Sequence, residues 1–569
     1  MGTFQSLNVG LSGVLASQSA LMTVGHNLSN MNTEGFSRQR VVLQANQPLR
    51  IANLQYGQGV NLNQVQRVHD EYVQQSLRTA ITKGGQYEAN YMAYNEIEML
   101  FNETEGMGLG YSLTQFWDSW HDLANAPTDT SQEAASKRST VIESANFLIN
   151  TIQGTYQQLN DLQAQYTGRV DSMVNDVNSQ LQSLATLNTQ IAKTSAHGNP
   201  AHDLLDQRDM ILNKLAEYID IKVDIDPQGQ ATVFFDGKTL VDRDYAAKLI
   251  NKRTGEFSSE LLFESTSGHT SKITNFSNNG QIGAYMEMRD KTIPGYIEKL
   301  DDLSRTIIEE VNKVHANGMV TKPFGAVSSQ YSVENSRTPL NDNTPFQIQN
   351  GSFQLKVFDP AGGELQTFEI RINEGDSLRQ IAMKLDQADG VAEGGLFSAS
   401  INADNQLEIR GNNGNTFVLY NDTSNALTAI GLNTFFKGHD AKSIGVNNYV
   451  AEDTTRLATS FSGEPGDNRN ANLIAELRNA KVMGGMTIGE NYNHFVSKIG
   501  MDVRINIDSL ETTQLIRFQI EVKRESISGV NENEELTNML KFQRSFEASS
   551  RFITTIDRLL DNIVNRMGV

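Results

Sequence analysis

Residues 2–30 read GTFQSLNVGLSGVLASQSALMTVGHNLSN, and residues 536–560 read LTNMLKFQRSFEASSRFITTIDRLL. In the first stretch Phe4, Leu7, Leu11, Val14, Leu21 and Leu28 follow the 3-4 heptad spacing, with Gln18 and Gly25 at the two skipped positions. That spacing predicts one amphipathic helix. In the second, Met539, Phe546, Ile553 and Leu560 lie seven apart and continue to Met567, joined by Leu536, Phe542, Ile556, Ile563 and Val564. Two heptad seams at opposite ends of one chain are explained by packing together as a coiled coil, with Leu7, Leu11, Val14, Leu21 and Leu28 against Met539, Phe546, Ile553 and Leu560. The plainer alternative is two amphipathic helices docked on separate cores. Residues 29–60 read as loop.

The charge pattern sets the ends apart from the middle. The chain has 569 residues, 47 basic and 67 acidic, for a net charge of −20, and no cysteine. The first 33 residues carry no charged side chain, and residues 1–60 hold Glu34 against Arg38, Arg40 and Arg50, net +2. Residues 531–569 hold six acids and five bases, net −1, so the acidity lies between them. With no basic block, counterion release cannot drive binding to nucleic acid or an anionic membrane. Without cysteine there is no disulfide scaffold, thiol chemistry or thiolate metal site. No basic n-region marks a cleaved signal peptide, and no uncharged apolar run is expected to span a membrane.

The length implies three or four domains at roughly 150 residues each. Val170, Val174, Val177, Leu181, Leu184 and Ile191 form a second seam, broken at Asn188; Ile293, Ile297, Leu300, Ile307, Val311 and Val314 form a third, broken at Ser304. A helix over about 200–219 is announced by Asn199 as N-cap and Pro200 at the first position. Asp226-Pro227-Gln228-Gly229 and Asp236-Gly237 mark hairpin turns between short strands. Over about 345–420, alternating apolar residues separated by Asn- and Gly-rich turns, with one helix near 376–387, read as a β-rich domain inserted in a helical framework.

Sites for chemistry are few. Gly106 to Gly110 has no lysine and no strand before it, so it reads as a turn rather than a phosphate cradle. Asp224, Asp226 and Gly229 open like a calcium loop, but the twelfth position is Phe235 where a bidentate carboxylate is required. His197, His202, Asp203, Asp206 and Asp209 are the densest polar cluster. They could suit a divalent metal, and a secreted metal-dependent hydrolase built on His197, His202 and Asp206 is the alternative of another class. The plainer reading has the acids complementing the helix N-terminus and pairing with Arg208 and Lys214.

The run Gly25-His26-Asn27-Leu28-Ser29-Asn30-Met31-Asn32-Thr33-Glu34-Gly35-Phe36-Ser37-Arg38-Gln39-Arg40 resembles the N-terminal signature of bacterial flagellar rod, hook and hook-associated proteins. Its signature positions are Asn27, Asn30, Asn32, Thr33, Gly35, Phe36 and Arg38, and the Ser37-Arg38-Gln39 continuation points to the first hook–filament junction within that family. Gln58-Gly59-Val60, Val68-His69-Asp70, Leu204-Leu205-Asp206-Gln207-Arg208-Asp209, Arg289-Asp290, Val311-Asn312 with His315, and Ser528-Gly529-Val530-Asn531 with Glu534-Glu535 are similar to the family too. The resemblance spans roughly 1–320 and 440–569.

It implies a multidomain α+β protein. Terminal coiled-coil helices over 1–60 and 531–569 form an inner layer, an elongated helical bundle with β-hairpins near 220–280 covers 61–320 and 441–530, and 321–440 is the inserted β-rich outer domain. It also implies a structural, non-enzymatic subunit of the hook–filament junction, without cofactors, catalytic residues or metal. The implied ring has about eleven subunits and meets a hook protein and a second junction protein. An export chaperone holds the C-terminal helix, and the chain leaves the cell unfolded through the flagellar type III route, without signal cleavage. Other flagellar axial proteins, namely hook protein, second junction protein or flagellin, are the near alternatives. Terminal heptads that lack intrachain partners until assembly would be disordered in the monomer and fold on polymerising.

Overall fold

The structure is a computed structural model that describes residues 2–51, 54–102, 106–126, 131–196, 201–274, 280–390, 395–464 and 466–562. The helices in chain order are α1 (Gly2–Asn30), α2 (Glu71–Leu100), α3 (Leu109–Ala124), α4 (Gln132–Ser195), α5 (His202–Tyr218), α6 (Gly280–Glu287) and α7 (Ile293–Asn317). They are followed by α8 (Leu378–Asp386), α9 (Ala426–Ile430), α10 (Asn448–Glu452), α11 (Arg469–Glu476), α12 (Ile488–Ser528) and α13 (Glu532–Asp561). Short antiparallel sheets lie between them, so the expected α+β class holds. The chain divides into two compact units. The first is Met1–Ala93, Ala164–Arg289 and Arg504–Val569; the second is Tyr94–Gln163 and Asp290–Val503. Charge divides with them: the first unit has 27 basic and 30 acidic residues, net −3, and the second 20 and 37, net −17.

In the first unit, α1 and α13 pack along each other. Small residues make this possible. Buried positions on α1 include Gly10, Ala16, Ser17, Ala20, Val24 and Asn27, and a Cβ on Gly10 would lie 2.7 Å from Ile553 Cγ1. At about 100° per residue this face is about a quarter-turn from the leucine stripe. α1 has no charged residue, and its Phe4–Asn30 stretch reaches a mean hydropathy of 1.2, enough by length and composition to cross a membrane. The sequence expectation that no segment does so is corrected, because Gly, Ser and Asn interrupt the apolar run without adding charge.

Part of the stretch 29–60, which reads as loop, is strand. Gln39–Ala45 pairs antiparallel with Val60–Arg67, and Leu49–Ile51 with Leu54–Tyr56, forming a hairpin arm. The alternation is broken in the sequence by exposed apolar residues such as Leu43, Leu49 and Leu54 and by a register shift between Val42 and Leu43. The second seam is buried as expected, from Val170 to Ile191. Asn188 at its gap is fully buried; its Nδ2 donates to the carbonyls of Ala231 (2.9 Å) and Arg243 (3.0 Å), and its Oδ1 accepts from the Ala231 N–H (2.9 Å). The polar gap thus pins the strand Ala231–Phe235 to α4. Asp226 accepts from the N–H groups of Gln228 and Gln230, which is the hairpin turn and not a calcium loop.

In the second unit the Gly106–Gly110 turn opens α3, with Gly108 at its N-cap. α3 supplies Phe116 and Trp120 to a core with Phe435, Phe436 and His315. Asn312 on α7 donates to the Phe436 carbonyl (2.9 Å) and accepts from the N–H groups of Phe435 and Phe436. His315, one turn on, donates from Nδ1 to the Asn433 carbonyl (2.8 Å) and accepts at Nε2 from the Ala458 N–H (3.0 Å). Burial lowers its pKa to about 4. The β-rich stretch is as expected: Gly351–Phe358 lies between Glu364–Ile372 and Thr416–Tyr420, and α8 starts with a capping box from Ser377 and Gln380.

Candidate assembly site

The signature run turns from α1 into the hairpin arm, and its side chains tie that turn to the start of α13. Asn27, 1% exposed, donates from Nδ2 to the Gln39 carbonyl (2.9 Å) and to Glu535 Oε2 (3.1 Å), and accepts from the Gln39 N–H (3.0 Å). Arg38 donates from Nε to Glu535 Oε1 (2.7 Å) and from both terminal nitrogens to Glu534 (2.8 and 3.1 Å). Glu535 is itself 1% exposed. The Arg38 N–H donates to the carbonyl of Ser528 (2.8 Å), where α12 ends, and Asn531 caps α13 by accepting from the Glu534 N–H (3.2 Å). An Arg fork on two carboxylates, one of them buried, fixes direction as well as distance. Burial disfavours the guanidinium charge, but Glu534 and Glu535 outweigh it and raise the Arg38 pKa above its ordinary value.

The other signature residues shape the turn. Asn30 donates to the His26 carbonyl (3.0 Å) and accepts from the Thr33 hydroxyl (3.3 Å), while Asn32 is exposed. Gly35 has φ +79°, and a Cβ there would lie 2.7 Å from Met210 Cγ, so conformation and space both demand glycine. Phe36 meets His26 edge-on at 5.5 Å between ring centroids. Gly59 (φ +84°) lets the arm pass α1, where the Val60 N–H donates to Ser12 Oγ (3.2 Å).

The polar cluster on α5 joins the same site. The Ser37 N–H donates to Asp206 Oδ2 (3.0 Å); Arg67 donates to Asp206 Oδ1 (2.8 Å) and Asp209 Oδ2 (2.7 Å); Arg208 donates to Asp209 Oδ1. Gln39 reaches Asp203 (2.9 Å), and His202 Nε2 reaches the Val65 carbonyl (2.8 Å). Burial raises the Asp206 carboxyl above its usual pKa, with Arg67 and Ser37 only partly compensating. Asp209 is also buried, but Arg208 and Arg67 prevail and lower it. Among the described residues no group of three or more His, Asp or Glu could hold a metal. α5 begins at His202 with Ala201 at its N-cap; Asn199, Pro200 and His197 lie outside the described residues. Of the two bases the sequence suggested, Arg208 pairs with Asp209, and the place given to Lys214 is taken by Arg67 on the arm. Nothing in the sequence marks Arg67, because its partners lie about 140 residues away.

The expected seam residues distribute unevenly. Leu7, Val14, Leu21 and Leu28 are half-buried and Leu11 is 47% exposed; Met539, Phe546, Ile553 and Leu560 are half-buried. Met567, Ile563 and Val564 lie outside the described residues. The face of α1 that touches α13 most closely, Gly10 and Gly13, was readable only as small residues at the same 3-4 spacing.

Three strings distant in sequence thus meet in one clamp that has carboxylates, guanidiniums and amides paired with one another. Residues 94–326 match the helical domain of flagellar hook-associated protein FlgK, and residues 524–567 match the C-terminal region of the flagellar basal body rod FlgEFG proteins. The chain is 26% identical to flagellar hook-associated protein 1 of Bacillus subtilis (strain 168), with 100% of this chain and 99% of that one covered. It is 26% identical to the protein of the same name from Salmonella typhimurium (98% and 99%), and 25% identical to that from Escherichia coli K12 (98% and 99%). The structure of the flagellar hook junction protein FlgK from Burkholderia pseudomallei superposes with a TM-score of 0.53 at 15% identity, covering 80% of this chain and all of that one, which is a likeness of fold. Clamp, fold and matches define a structural protein of the flagellar axis. Within that class, the chain carries the FlgK helical domain over residues 94–326 and is similar to flagellar hook-associated protein 1 along its whole length.

Proposed function

We propose that the chain is a subunit of the hook–filament junction, built into the axis outside the cell through its paired terminal helices. The observation that carries this reading is the α1–α13 pair locked by Asn27, Arg38 and Glu535. In this reading Leu7, Leu11, Val14, Leu21 and Leu28, with Met539, Phe546, Ile553 and Leu560, present the inner contacts between subunits. Nearly neutral ends can stack around an axis where a chain of net −20 would repel its copies. The inner layer is 1–60 with 531–569, then 61–320 with 441–530, and 321–440 lies outermost. A ring of about eleven copies joins a hook protein on one side and a second junction protein on the other. An export chaperone covers Phe546, Ile553 and Leu560 before export, which proceeds without signal cleavage, and the chain has no catalytic activity. A strain lacking the chain is expected to carry hooks without filaments while flagellin accumulates in the medium. Normal filaments in that strain overturn the proposal.

A further inference from the structure

The second unit holds a cleft of about 600 Å³ between the start of α7, the first half of α12 and the end of α2. Helical spacing brings its walls together. On α12, Asn491, His494, Phe495, Lys498 and Asp502 follow at three- and four-residue steps and share one face; Thr292, just before α7, and Gly295, Tyr296 and Lys299 on it do the same. The floor is aromatic. Tyr296 is 7% exposed and Phe495 8%, their rings meet edge-on at 5.6 Å, and Tyr94 lines the cleft with them. Asp502 accepts from the Tyr296 hydroxyl (3.4 Å), and burial, with Tyr94 and Asp502 beside it, raises the pKa of that phenol, which keeps it the donor.

The rim is basic. Lys291, Lys299 and Lys498 line the cleft with Glu298 and Asp502, three bases to two acids, whereas the unit as a whole has 20 to 37. Lys299 reaches Asp302 only at 3.7 Å with both side chains in solvent, and Lys498 is exposed and pairs with no acid among the described residues. Gly295 adds an independent observation. It follows the π-helical turn Met288–Thr292 within a continuing helix, where glycine is less favourable than alanine, yet a Cβ there would meet no atom within 4 Å. No neighbour in the chain requires the glycine; the room above it belongs to the cleft. We propose that this cleft binds a small aromatic carboxylate, its ring on Tyr94, Tyr296 and Phe495 and its anionic group at Lys299 and Lys498. The volume lies among those of small-ligand sites, about 300–1,000 Å³, and an aromatic floor favours a flat ring. The net −17 of the unit opposes nucleic acid and other polyanions, whose further charges would face acidic surface, so a compact, singly charged ligand fits best. The inference stands apart from the proposed assembly and does not rest on it.

The test titrates the full-length chain by calorimetry with naphthoate as the probe, and with naphthalenemethanol and naphthylmethylammonium as its neutral and cationic counterparts. The expected result is one saturable site for naphthoate, binding of the alcohol about tenfold weaker, and no binding of the ammonium. Lys498→Glu reverses an exposed charge, and Gly295→Leu fills the cleft from a position whose Cβ touches nothing. Each should weaken naphthoate by about tenfold or more while the thermal transition stays in place. Equal affinity for the three probes, binding that either folded variant leaves unchanged, or no saturable binding at several millimolar overturns the proposal. If Gly295→Leu does not fold, Lys498→Glu decides alone.

Discussion

Replacing Arg38 by Ala removes the fork that holds α13 to the turn after α1. Its two acceptors are unequal: Glu534 is 56% exposed and Glu535 2% by side chain. The exposed pair contributes at most about 1 kcal/mol. Removing the partner of a buried carboxylate costs about 3–5 kcal/mol, and because Arg38 keeps 20% of its side chain in solvent and Glu535 retains Asn27, the expected cost is about 2–3 kcal/mol. At about 1.4 kcal/mol per tenfold, opening of α13 becomes about 30- to 150-fold more frequent. Hydrogen exchange on the full chain reads this directly from the amides of α13, with the Asn188 region as internal reference. Glu534→Ala is the control and should change protection about fivefold or less. Equal effects of Arg38→Ala and Glu534→Ala would refute the claim that the buried Glu535 carries the clamp.

Three further outcomes follow from the geometry. Gly10→Val places a branched side chain against Ile553 and Phe552 and should loosen the α1–α13 pair by about 1–3 kcal/mol, whereas Leu11→Ala should cost less than about 1, both measured by the same exchange experiment. Asn188→Ala leaves the buried N–H and C=O of Ala231 without partners and should cost about 3 kcal/mol, read as a lower thermal transition for the first unit. His315 stays neutral in the fold down to about pH 4 but gains a proton near pH 6.5 when unfolded, so the unfolded state binds more protons between those values. Stability of the second unit should therefore fall by about 3 kcal/mol from pH 6.5 to pH 4, followed by the fluorescence of Trp117 and Trp120 in urea, and the slope should flatten in His315→Gln.

The long-period features of the fold were legible in the sequence because heptad spacing repeats often enough to stand out: the seams from Val170 and Ile293 and the two terminal helices all appear. The polar gaps carried meaning the pattern alone could not assign, since Asn188 looks like a flaw until Ala231 is seen beside it. Two things were misread for physical reasons. In the hairpin arm exposed Leu43, Leu49 and Leu54 and a register shift break the alternation, so the stretch looks like loop. On α1, hydropathy draws attention to leucines, yet close approach of two helices is allowed by the glycines and alanines a quarter-turn away. The clamp was half legible: each string could be recognised, but no local rule says that Arg38 reaches Glu535 or that Arg67 reaches Asp206, because those pairings exist only in the folded chain.

The most direct test of the central claim is to attach one fluorophore to an exposed single cysteine introduced in this chain and image it on intact flagella with hook and filament separately labelled. The account predicts one compact spot per flagellum between hook and filament, lost when the chain is truncated after Asn531. Label spread along the filament, or a spot that survives that truncation, would contradict it.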